Sequence, residues 1–213
     1  MNNLPEAKMK YKVSKFKNQT EALKYISIFI QNGNHLRTGK PLNDFGGMRS
    51  REILGNWLIC SAVNFIFGQD RLTFSSDPTG GDGVIYDTIT GETWPTEHVM
   101  ACSSPNSEVE NAETLILKQI YLKLNKGGAA YASGKTLVVF LDIGIGSWSP
   151  DRVARRLPDP LHFDNVWVVG LQEFDENQYV YAVTRLDLRL GRVPVWSVRL
   201  GKDFCTWEVD AMQ

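Results

Sequence analysis

The sequence is poor in the residues that build disulfide frameworks and metal clusters, with three cysteines and three histidines in 213 residues. Cys60, Cys102 and Cys205 are scattered and odd in number, which excludes a disulfide scaffold and points to reduced thiols in a cytoplasmic protein. His35, His98 and His162 stand far apart, without zinc-site spacing. No apolar run is long enough to span a bilayer, and the N-terminus lacks the apolar core of a secretory signal, so a membrane partner is not expected. Neither sign of charge dominates. The 23 basic side chains oppose 24 acidic ones, and a net charge of -1 gives no global attraction to a polyanion. Any nucleic-acid site has to be a local basic patch. There is no internal repeat and no low-complexity segment.

Hydrophobic residues make up 43% of the chain, enough for one domain with a sizeable core. An N-terminal basic arm and helix are expected over 1–47, and an α/β core with a C-terminal tail over 48–213. In the arm, Lys8, Lys10, Lys12, Lys15 and Lys17 alternate with Met9, Tyr11 and Val13. That pattern suits a solvated arm or one laid on a phosphate backbone. Thr20 is the expected cap of a first helix that Gly33 stops. A second helix is expected from a Ser50 cap to Phe67, with Gly68 ending it. A third runs from Ser107 to about Leu124, opened by a capping-box-like Ser107-Glu108-Val109-Glu110.

Between the second and third helices lie Leu72–Phe74, Val84–Asp87 and Thr93–Cys102, read as strands, the last two joined by a hairpin turn within residues 88–92. Pro95 predicts a bulge or an unpaired start in the last of these. Residues 135–142 are almost continuously apolar, as in a strand covered on both faces. A short helix with Arg152, Arg155 and Arg156 follows, then strands over 166–171 and 179–186, then an irregular tail with Trp196 and Trp207. This order predicts a mixed central sheet flanked by helices, a three-layer α/β sandwich.

Chemistry concentrates in Gly80-Gly81-Asp82-Gly83 and Thr96-Glu97-His98-Val99. If Thr90-Gly91 forms a two-residue loop, Asp82 and Glu97 share one sheet face as diagonal neighbours, roughly 7 Å apart at the backbone. A four-residue loop keeps that parity and an odd loop destroys it. Two carboxylates so placed could grip one divalent cation. Asp82 also suits a cap on the Gly-Gly turn, and Glu97 could be held by salt bridges. Glu52 lies in the first turn of the second helix, where its charge suits the helix dipole. Arg152, Arg155 and Arg156 share a helix face, solvated or in contact with nucleic acid. Gly144-Ile145-Gly146 is followed by no glycine-patterned helix, so no nucleotide loop is read there.

The succession of Glu52 on a helix, Asp82 at one strand, Glu97 within the next, then a helix and a buried strand resembles the PD-(D/E)XK nuclease superfamily, the restriction-endonuclease-like fold, over about residues 48–187. The resemblance implies a metal-dependent nuclease with magnesium or manganese on Asp82 and Glu97, Glu52 assisting, and DNA as the expected nucleic-acid partner. It also implies a lysine two residues after Glu97, where this chain has Val99. Lys118 on the following helix is the first candidate to replace it, and Lys135 the second. Without a replacement, the same fold would serve as a catalytically inactive module that binds nucleic acid or a protein. A homodimer stays open, because a sequence carries no symmetry.

Overall fold

The computed structural model describes residues 18–32, 36–37, 39–102, 111–142, 146–175, 178–188 and 191–213. The lysine-rich arm, Gly33 and the proposed helix start at Ser107 lie outside them. Helix α1 (Gln19–Gln31) is capped not by Thr20 but by Asn18, whose side chain accepts from the Glu21 amide at 3.1 Å. Helix α2 (Ser50–Phe67) starts inside Arg49 rather than at a Ser50 cap. The Glu52 carboxylate reaches back to accept from the Arg49 amide at 2.8 Å, the reciprocal arm of a capping box. Gly68 ends α2 in the left-handed region, at φ 64°.

Strands β1 (Leu72–Ser75), β2 (Gly83–Asp87) and β3 (Thr93–Ala101) follow. Helix α3 (Ala112–Asn125) opens on an Asn111 cap that accepts from the Thr114 amide at 2.8 Å. A short α4 (Gly128–Ala132) precedes β4 (Thr136–Leu141), and α5 (Pro150–Ala154) precedes β5 (Asn165–Asp175). Strands β6 (Gln178–Arg185), β7 (Val195–Leu200) and β8 (Trp207–Ala211) complete the chain. All eight form one mixed sheet in the order β1 to β8. The β1–β2 and β2–β3 pairs are antiparallel, β3–β4 and β4–β5 are parallel, and the rest are antiparallel. Parallel neighbours need a crossover, and α3 with α4, then α5, provide the two.

The core divides in two. Helices α1 and α2 bury Leu23, Ile26, Trp57 and Leu58 together with Val138 and Phe140 of β4. Helices α3 and α5 bury Ile116, Ile120 and Val153 with the alternate β4 residues Leu137 and Val139. A strand buried on both faces accounts for the unbroken apolar run at 136–141. The expected irregular tail is instead β7 and β8. Trp196, Val198 and Leu200 alternate into the α1–α2 cluster, and Trp207 meets Trp57 edge-on with ring centroids 5.0 Å apart. Pro95 makes no bulge and stands in register opposite Val84. Hydrogen bonding alternates along an antiparallel pair, and the Asp87–Glu92 bond puts the missing Pro95 donor on the β4 side. There β4 pairs only from Thr136, opposite Thr96. Among the described residues, no helix is long and apolar enough to cross a membrane.

Candidate active site

The hairpin between β2 and β3 closes through the Asp87 amide donating to Glu92 O at 2.9 Å, leaving residues 88–91 as a four-residue turn. Asp87 shapes that turn. Its Oδ1 accepts from the amides of Ile89 (2.9 Å) and Thr90 (3.1 Å), and Arg71 donates Nε and Nη2 to its carboxylate. These donors hold the Asp87 carboxyl well below the usual carboxylate range, the Arg71 hydrogen bond foremost and against the opposing effect of burial. The register differs by two residues from that of a Thr90-Gly91 loop, so parity is kept. Gly83 faces Thr96. One step further along the same register, Asp82 comes level with Glu97 rather than diagonal to it.

Both carboxylates meet Lys123 of α3, whose Nζ lies 3.2 Å from Glu97 Oε2 and 4.0 Å from Asp82 Oδ2. Lys135, just before β4, lies 3.0 Å from Glu97 Oε1, and the Tyr131 hydroxyl of α4 donates to Glu97 Oε2. The Glu97 side chain is only 10% exposed. Burial pushes its carboxyl upward, but the Tyr131 and Lys135 hydrogen bonds and the two ammonium charges outweigh burial and hold it below its ordinary value. Glu97 in turn raises the Tyr131 phenol, burial contributing most. Lys118 is exposed on α3. The α3 lysine that reaches Glu97 is Lys123, which sits beside the buried Ile116–Ile120–Leu124 stripe, whereas Lys118 lies about 200° around the helix from Ile116.

The other sheet face is built differently. Glu52 is buried and bonded to the Arg49 amide, with the Arg49 guanidinium 3.2 Å away and that of Arg51 3.8 Å away. Its carboxyl is raised, chiefly by burial and slightly by the charge of Asp82, against the lowering effect of the Arg49 amide and the two guanidinium groups. His98 points away from Glu97 onto α2, where its Nε2 lies 3.2 Å from Asn56 Oδ1. Burial, reinforced by the charges of Arg51 and Lys123, pushes the His98 imidazole down to about 3. Its backbone amide donates to Asp82 Oδ2 at 2.7 Å, tying the two acid-bearing strands together.

The arginine cluster lies on and just beyond α5. Arg152 pairs with Glu113 at 3.0 Å, and Arg155 and Arg156 are exposed past the helix end. The structure thus links Asp82 and Glu97 through Lys123, adds Lys135 and Tyr131 on Glu97, leaves Glu52 paired with Arg49 and Arg51 at the start of α2, and leaves Lys118 on the exposed side of α3. Among the described residues, no group of three or more His, Cys, Asp or Glu side chains is arranged to hold a metal ion. Comparison with known proteins gives no match to a family model, a curated protein or a solved structure.

Proposed function

We propose that the protein is a metal-dependent nuclease of the restriction-endonuclease-like type, in which Lys123 and Lys135 stand where the motif lysine, replaced by Val99, would act. The observation that carries this reading is the meeting of Asp82 and Glu97 on one ammonium group, that of Lys123. It marks a point where two carboxylates, one just ahead of β2 and one within β3, attract a single cation. The succession α2–β1–β2–β3–α3–α4–β4, with β1 to β3 antiparallel and β4 parallel to β3, supports the three-layer restriction-endonuclease-like arrangement.

The donor set fits magnesium or manganese. Magnesium takes hard oxygen ligands, keeps several waters, and is bound at phosphoryl-transfer sites through one or two carboxylates plus substrate phosphate. Asp82 and Glu97 would hold it, and the ion would supply polarisation of the phosphate and acidification of a bound water. The protein's own groups do the rest. Lys135 and Tyr131 keep Glu97 ionised and oriented, and Glu52 fixes the start of α2. The Lys123 Nζ, 3.2 Å from Glu97 and 4.0 Å from Asp82, is placed to offset charge building on a phosphate oxygen. Arg152, Arg155 and Arg156 would meet the backbone of DNA through charge alone.

The test is incubation of plasmid DNA and single-stranded RNA with the protein and magnesium or manganese. Cleavage is expected in the wild type and abolished in Asp82→Asn and Glu97→Gln, with unchanged circular dichroism. Cleavage that persists in both variants overturns the assignment. A second reading, a binding module without turnover, is favoured by Glu97 already being neutralised by two lysines. Salt-dependent binding without cleavage would select it.

A further inference from the structure

We propose that Asn56 is a positioning residue that braces both acid-bearing strands at once; the proposal rests on the nuclease reading above. Asn56 is fully buried in α2. Its two amide atoms touch the residues that directly follow the two acids. Oδ1 faces His98 Nε2 at 3.2 Å, one residue beyond Glu97. Nδ2 abuts Gly83, one residue beyond Asp82, so closely that a Cβ at Gly83 would overlap it. With Asn56 Oδ1 as the acceptor, His98 donates from Nε2. The circuit closes through the His98 backbone amide, which donates to Asp82 Oδ2 at 2.7 Å. Asn56 therefore fixes the spacing between β2 and β3 where the carboxylates leave their strands.

Two glycines make this approach feasible. Gly83 admits the Asn56 amide. Gly55 lets α2 lie against the imidazole, since a Cβ there would come within 2.9 Å of His98 Cε1. The arrangement is expensive. Asn56 Nδ2, Thr96 Oγ1 and His98 Nδ1 are buried without a hydrogen-bond partner among the described residues. Buried polar atoms without partners are costly, so packing alone does not call for these side chains. Holding an acid pair in a fixed relation does, because supporting residues commonly govern the affinity or activity of the ligands they orient, by about 10–100-fold.

The experiment compares Asn56→Leu, His98→Leu and His98→Gln with the wild type, the glutamine amide retaining a donor near the Nε2 position. Plasmid cleavage with manganese is read as kcat and KM, and hydrogen exchange of the residue-98 amide is read by NMR. We expect Asn56→Leu and His98→Leu to lose about 10–100-fold in kcat with KM unchanged within twofold. In both, the residue-98 amide should exchange at least tenfold faster, and His98→Gln should stay within threefold of wild type on both readouts. Wild-type kcat and exchange in Asn56→Leu, or equal damage in His98→Gln and His98→Leu, overturns the proposal. If Asn56→Leu does not fold, the two His98 variants decide alone. If the wild type does not cleave, the nuclease reading falls, and the exchange rate still decides whether Asn56 holds the strands together.

Discussion

At Glu97 two effects oppose each other. Burial penalises its charge, while Tyr131, Lys135 and Lys123 stabilise it, and the stabilising groups win. A carboxylate kept ionised by two ammonium groups in a mostly buried position is a poor choice for packing alone. If Lys123 serves the reaction, Lys123→Met should reduce kcat by about 10²–10⁴-fold, the usual range for a positioned acid–base group. Lys118→Met should cost far less, and single-turnover cleavage compares the two directly. Lys123 was legible in principle, since it flanks the apolar stripe of its own helix while Lys118 faces away from it. Tyr131 was not, because it comes from α4, a short helix that the Lys126-Gly127-Gly128 breaker signal conceals. Asp87 makes a separate prediction. Its carboxyl titrates below the ordinary value of about 3.9, so its contribution to stability is full above that pH and is lost as pH falls through the lower folded-state value. Asp87→Asn should cost about 1–2 kcal/mol at pH 7 in urea unfolding, and the gap from wild type should shrink toward pH 2.

Among the elements, the β2–β3 hairpin matters most, because its turn sets which side chains share a face. Any even loop puts Asp82 and Glu97 on one face, and the four-residue turn is even. The actual length depends on Asp87 accepting from two turn amides, a tertiary and local arrangement that Thr90-Gly91 alone does not announce. Inserting one glycine after Gly91 should abolish cleavage while leaving far-ultraviolet circular dichroism close to wild type. An odd loop sends Asp82 and Glu97 to opposite faces, or forces a bulge between them. Helix α2 and strand β4 could be read because their apolar patterns are long or unbroken. Strands β7 and β8 could not. Trp196 and Trp207 pack against α2 and the sheet, partners remote in sequence. Trp207→Ala removes the edge contact with Trp57, and chemical denaturation should show a loss of about 1–3 kcal/mol, below the full cost for a completely buried tryptophan.

At the scale of the whole molecule, α/β class and a mixed sheet with helices follow from the order of elements, and the sheet order β1 to β8 follows the chain without a jump. Consecutive strands lie side by side, and local pattern reading reached six of the eight strands and the mixed sheet but not the strand order. It also missed the sheet's far edge and the contacts made by α4. The candidate site sits where the antiparallel meander β1–β3 meets the parallel unit β3–β4, with Asn56 and His98 on one face of β3 and Glu97 with its lysines on the other. The central claim is that Asp82 and Glu97 grip one divalent cation. Calorimetric titration of manganese into the wild type, Asp82→Asn and Glu97→Gln tests it most directly. One manganese ion per chain should bind the wild type, and each variant should lose that binding. Absence of binding in the wild type, or equal binding in all three proteins, would contradict the account.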